Sequence, residues 1–391
     1  MRIALVASLV GPIRPAAANG PHSVILDLAR GLGARGHEIV VFAARGSVAR
    51  GVAIREIDVD PIAQGAAIQA DGGEAPAAAK AALARGFDRL FDEVRRFAPD
   101  AVSQHAFDAP AIRLAEDLPV LHTLHLPPID LDVVAAARAT DKPLATVSNA
   151  ASKVWQAAGV NGVGVIRNGV PDFGVSSSKP SRVALIAGRI SPEKGTATAI
   201  RVARRAGLTP LVLGDVYDRR YFREQVEPIL KKGEFAGPVS RRLLSGMMAS
   251  SAVLLMPIEW DEPFGLVAAE AQMCGCPVVG YRRGALPEVV VDGLGGFLAE
   301  PGHEDELVSA IAGARQLDRS AIRMRAQRDL GVVRMVDEYE AALASICGES
   351  ARLPAVDGQH LERTGLDPGH ARRATRHTRQ GDPVEVASTR K

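Results

Sequence analysis

The chain has 391 residues, with 47 Lys plus Arg against 45 Asp plus Glu, and 47% of it is hydrophobic. That length suits two domains, each with a proper core, and no stretch approaches the roughly 18–20 consecutive apolar residues of a membrane helix. A formal charge of +2 gives no overall footprint for nucleic acid. Three cysteines (Cys274, Cys276 and Cys347) are too few for a disulfide framework and point to a reducing, cytoplasmic setting.

The run Ile3 to Val10 loosely imitates the core of a secretory signal, but Gly11-Pro12 and Arg14 interrupt it before any cleavage site. It reads instead as a buried parallel strand entering a loop, Gly11 to Pro21. Val24, Leu28 and Leu32 repeat at helical spacing, and Ile39 to Phe42 form a second strand. Strand, helix and strand in about 40 residues make a βαβ unit, which demands a parallel sheet covered by helices. Leu83, Phe87, Leu90, Phe91, Val94 and Phe97 share one face of a further helix whose other face carries mixed charge. That is a solvent face over a core face rather than a membrane-surface helix. Short strands follow at Ala101-Val102, Val120 to Leu124 and Leu144 to Val147.

Asp172 to Ser181 reads as an interdomain linker. Behind it a second series of strands (Val183 to Ala187, Leu211 to Leu213, Val253 to Met256, Val278-Val279) alternates with helical segments, the last covering about Val332 to Ile346. Residues 351–391 carry eight Arg or Lys, five Asp or Glu and only scattered apolar side chains. The expected organisation is an N-terminal domain over residues 1–173, a C-terminal domain over 174–349 and a basic disordered tail over 350–391. The class is α/β, with two doubly wound domains facing each other across a cleft.

Chemistry concentrates in the second half. Gly188-Arg189-Ile190-Ser191-Pro192-Glu193-Lys194-Gly195 directly follows a strand, and ligands of open α/β sheets bind beyond the carboxyl ends of strands. Arg189 offers a planar fork and Lys194 a compact charge, a suitable pair for a diphosphate. Asp261-Glu262-Pro263-Phe264-Gly265-Leu266 follows the strand ending at Met256, with Pro263 keeping Glu262 in the loop and starting a helix that Gly275 ends. Free N–H groups around Phe264, Gly265 and Leu266 suit sugar oxygens or anions. Glu262 and Glu270, on either side of the helix start, can accept hydrogen bonds from hydroxyl pairs along one elongated ligand. Cys274-Gly275-Cys276 suits small-residue packing.

The order Gly-Arg-x-x-Pro-Glu-Lys-Gly, Glu-Pro-Phe-Gly-Leu with a second Glu eight positions on, and Gly275-Cys276-Pro277-Val278-Val279 resembles the retaining glycosyltransferases of family four, which have the GT-B architecture of two Rossmann-like domains. Thr123-Leu124-His125 and Asn168-Gly169-Val170 resemble segments of the same family, and the resemblance covers residues 1–346. It implies that Arg189 and Lys194 hold the donor diphosphate, with Gly188 beside them. Glu262, Phe264, Gly265 and Leu266 would meet the donor sugar, and Glu270 the ribose. His125 would approach the sugar 6-hydroxyl, with His122 as its rival. Gly20 would let backbone approach the phosphate, although this chain reads Gly20-Pro21 where the family has two glycines. The implied reaction moves a hexose from a nucleotide diphosphate sugar, UDP before GDP, to a hydroxyl acceptor with retention.

The implied partners are that donor and a soluble acceptor, with neither nucleic acid nor an indicated membrane surface. No metal or other cofactor is expected, since two cations and a helix N-terminus already address the charge. Asp58-Val59-Asp60 and Asp130-Leu131-Asp132 look like metal motifs only superficially. The alternatives are a nucleotide-sugar epimerase or sugar phosphorylase of the same architecture and, in another class, a binding protein that uses the basic tail.

Overall fold

The computed structural model describes residues 1–14, 20–59, 76–177 and 180–347. The tail expected over 350–391 lies outside these residues. Two parallel sheets organise the chain within a single unit. The first contains β1 (Arg2–Val6), β2 (Glu38–Ala44), β3 (Ile54–Ile57), β4 (Ala101–Gln104), β5 (Val120–Leu124), β6 (Leu144–Thr146) and β7 (Gly164–Val165). The second contains β8 (Val183–Ala187), β9 (Thr209–Leu213), β10 (Phe235–Gly237), β11 (Val253–Met256), β12 (Val278–Tyr281) and β13 (Gly296–Ala299). Their orders are β3-β2-β1-β4-β5-β6-β7 and β10-β9-β8-β11-β12-β13.

Both orders reverse once, between β1 and β4 and between β8 and β11, and such switch points open a crevice at the carboxyl ends of the strands. The N-terminal run is central because it is apolar on both faces: Ile3 and Leu5 pack into one core cluster, Ala4 and Val6 into the opposite one. The same holds for β8, whose Leu185 and Ala184 face different clusters.

Three local readings change. Gly20, expected in the loop, is the first residue of the helix Gly20–Ala34. The helix expected to start at Pro263 begins at Leu266, with Gly265 in the left-handed region (φ 92°) as its N-cap. Phe264 thus stays in the loop and is buried in the core beneath. The helix Val332–Cys347 lies within the stretch assigned to the second domain, yet its Met335, Val336, Tyr339 and Leu343 pack in the core beside β1. An apolar stripe at helical spacing says that a face is buried, but not which sheet buries it.

Candidate active site

At the β8–β11 switch point the loop after β8 is pressed against the loops after β9 and β11. A Cβ on Gly214 would sit 1.8 Å from the Gly188 carbonyl oxygen, and one on Gly195 would sit 2.0 Å from that of Pro257. Both glycines have positive φ (135° and 66°), so side chains are excluded twice over. The approach at Gly195 brings the segment after β8 against the end of β11. Gly188, Arg189, Lys194, Glu262 and Gly265 then line one cavity.

Within it Lys194 Nζ donates to Glu262 Oε2 at 2.5 Å, and Trp260 Nε1 donates to the same oxygen at 2.7 Å. The Lys194 ammonium also lies 5.1 Å from the Trp260 ring centroid. The pair is largely desolvated, with side chains 18% and 17% exposed. Each charge is therefore the other's counterion. Arg189 is exposed and stacks its guanidinium 4.7 Å from the Tyr217 ring centroid, with Glu193 at 3.8 Å. Glu193 is drawn away by Ser191 Oγ, which donates to it at 2.5 Å.

Glu270 sits a turn into the helix Leu266–Met273, paired with Arg241 at 2.8 Å, and Arg241 reaches Asp27 at 2.8 Å. Burial pushes the Glu270 and Asp27 carboxyls up, against the lowering pull of Arg241. Asp27 belongs to the helix Gly20–Ala34, so this ion bridge joins the two halves of the molecule. Nearby, a Cβ on Gly20 would meet Leu266 Cδ1 at 3.2 Å. A second bridge lies farther along: Glu288 accepts from Ala150 N at 2.7 Å and Asn149 N at 3.0 Å, capping the helix Asn149–Ala157.

On the first sheet, His125 follows β5 and is buried. Its Nε2 shares a 2.8 Å hydrogen bond with His105 Nδ1, and His105 Nε2 shares another at 2.8 Å with Ser103 Oγ. The two rings stack at 5.1 Å. Burial lowers the His125 pKa to about 4, with the His22 ring contributing, and lowers His22 itself to about 4. These histidines are neutral near pH 7, able to donate or accept but carrying no charge. The rival His122 is buried within β5, and neither ring nitrogen finds a hydrogen-bond partner among the described residues. Asp130 serves as a helix cap, accepting from Asp132 N and Val133 N, and Asp58 pairs with Arg45, while Asp60 lies outside the described residues. Among the described residues no three His, Cys, Asp or Glu gather as a metal site.

Of the residues singled out by sequence, Gly188, Arg189, Lys194, Glu262 and Gly265 share a cavity; Phe264, Leu266, Glu270, Gly20 and His125 are not among its lining. Trp260, Arg241, Asp27 and His105 were missed. Trp260 stands two residues before Glu262, a detectable position. Asp27 and Arg241 are 214 apart in sequence, and no local signal joins them.

Two Rossmann-like sheets with a cation-and-carboxylate cavity at the switch point of the second define a GT-B protein. Residues 172–327 match the family described as glycosyl transferases group 1, and residues 18–172 match the family described as glycosyltransferase family 4. The chain belongs to these group 1, family-four glycosyltransferases. A D-inositol 3-phosphate glycosyltransferase of Streptomyces griseus is 46% identical over 79 residues, a stretch that spans 20% of this chain and 16% of that protein. The fold is similar to that of sucrose-phosphate synthase from Thermosynechococcus elongatus (TM-score 0.69, 18% identity, 88% of this chain and 100% of that one). It is also similar to Anabaena HepE in complex with UDP-glucose (TM-score 0.67, 19% identity, 88% and 100%).

Proposed function

We propose that the protein transfers a hexose from a nucleotide diphosphate sugar to an acceptor hydroxyl with retention of anomeric configuration, as a metal-independent cytoplasmic enzyme. UDP-hexoses are the first donors to test and GDP-hexoses the second. The observation that carries this reading is the meeting of Arg189, Lys194 and Glu262 around one cavity at the β8–β11 switch point. The relative named as an inositol phosphate glycosyltransferase and the UDP-glucose held by HepE support it.

In this reading Arg189 and Lys194 hold the diphosphate, and the open space beside Gly188 lets backbone approach it. Glu262 leaves Lys194 and accepts hydrogens from the sugar hydroxyls. Phe264, Gly265 and Leu266 supply N–H groups at the helix start, Glu270 takes the ribose, Gly20 lies by the donor, and His125 contacts the 6-hydroxyl. The anomeric carbon–oxygen bond breaks and its electron pair goes to the leaving phosphate. The acceptor oxygen bonds to the same face of the sugar while its proton passes to a phosphate oxygen. The products are a glycoside of unchanged configuration and a nucleoside diphosphate. Lys194 and Arg189 stabilise the charge that grows on the leaving group.

A thermal-shift screen of nucleotide sugars tests the reading. The true donor stabilises the fold more than its bare nucleotide does, because the sugar adds contacts. Acceptor-dependent release of nucleoside diphosphate separates transfer from epimerisation. A chain that interconverts nucleotide sugars with no acceptor present contradicts the proposal.

A further inference from the structure

Glu270 makes both of its contacts with Arg241 through one oxygen: Oε1 accepts from Nε at 3.0 Å and lies 2.8 Å from Nη2. That arrangement leaves Oε2 to accept a hydrogen from a ligand hydroxyl. The remaining guanidinium nitrogen, Nη1, donates to Asp27 Oδ2 at 2.8 Å. Asp27 projects from the helix Gly20–Ala34 of the first half, whereas Arg241 opens the helix Arg241–Ser250 of the second. The Asp27 and Glu270 side chains are 7% and 13% exposed, so the bridge is desolvated and geometrically demanding. Arg30 Nη1, 3.5 Å from Asp27 Oδ1, supplies the second cation that balances the two carboxylates. A planar fork with three engaged nitrogens fixes the orientation of the carboxylate it holds, which an ammonium cannot do.

We propose that Arg241 is the positioning residue for the ribose-binding carboxylate of Glu270, and that Asp27 anchors Arg241 from the opposite half of the molecule. The proposal rests on the nucleotide-sugar reading of Glu270. It makes the orientation of the ribose carboxylate depend on a residue of the first half. Asp27 thereby governs ribose recognition without touching the ribose.

Calorimetric titration with UDP and its 2′-deoxy and 3′-deoxy analogues, and with the corresponding GDP series, tests this. The unaltered protein should prefer the ribonucleotide by about tenfold or more, the worth of a hydroxyl bonded to a carboxylate. Glu270→Gln should abolish most of that preference. Arg241→Lys and the isosteric Asp27→Asn should each shrink it at least threefold while affinity for the deoxy analogue changes little. A merely structural contribution lowers affinity for all analogues alike; an unchanged preference in folded Asp27→Asn overturns the proposal. If Arg241→Lys fails to fold, Asp27→Asn decides alone. If Glu270→Gln keeps the preference, the ribose reading falls and takes this proposal with it. If Glu270→Gln loses the preference but Asp27→Asn retains it, only the positioning proposal falls.

Discussion

The two switch points are built alike and equipped differently. After β8 and β11 the chain presents charges, the exposed Arg189 and the largely buried Lys194, Glu262 and Glu270, held by one another, by Glu193 or by Arg241. After β1, β4 and β5 it presents buried neutral rings, His22, His105 and His125. Charges paired among themselves can exchange partners for a diphosphate and hydroxyls, at little net change in the number of satisfied groups. Neutral buried rings carry no charge to exchange; they can offer a hydrogen bond or a packing face. The second half thus offers paired charges at its switch point, and the first offers buried uncharged rings.

The difference can be broken most forcefully on the charged side. Lys194→Ala should lower kcat by a factor of about 10²–10³ or more, the usual worth of a group that stabilises developing charge, and Arg189→Ala should act in the same direction. Near-normal kcat in both purified variants would remove the phosphate assignment. On the neutral side, His125→Ala should cost about 10–100-fold in kcat/KM with a hexose donor but little with a pentose donor lacking the 6-hydroxyl. Equal losses with both donors would mean that His125 only packs. Turnover should persist in EDTA; loss of activity restored only by an added divalent cation would contradict the metal-independent reading.

Smaller effects fall on stability. The buried His122 has a pKa lowered to about 3 by burial, with the Lys142 charge adding, against about 6.5 for an exposed ring. The unfolded chain therefore binds the proton first, and stability is lost as pH falls below about 6.5. His122→Leu removes two unpartnered nitrogens and should be neutral or stabilising by about 1 kcal/mol at pH 7. Its advantage should grow by about 2 kcal/mol at pH 5. Urea unfolding at both pH values checks this; a constant difference would refute the titration argument. Glu288→Ala, which uncaps the helix Asn149–Ala157 across the two halves, should cost about 1 kcal/mol.

The same contrast explains what the sequence revealed. Arg189, Lys194 and Glu262 are legible because each is polar and stands in a short motif just after a strand, although the Lys194–Glu262 contact itself spans 68 residues. The two sheets were legible too, since β1 and β8 are apolar on both faces. His105 was not, because a histidine in an apolar context has no local mark of its partner, and the 2.8 Å contact with His125 exists only once β4 and β5 are paired. Arg241 and Asp27 were hidden for the same reason on a longer scale. The packing of Val332–Cys347 against the first sheet was equally unreadable, because periodicity identifies a buried face but not its cover.

In the proposed function the β8–β11 cavity binds a nucleotide through its diphosphate and a hexose through Glu262. Calorimetric titration of a nucleoside diphosphate and the matching nucleotide hexose, with the unaltered protein and with Glu262→Gln, tests it most directly. The unaltered protein should bind the nucleotide hexose more tightly, and Glu262→Gln should lose that increment while retaining nucleotide affinity. An increment that survives in Glu262→Gln, or is absent with every donor, would contradict it.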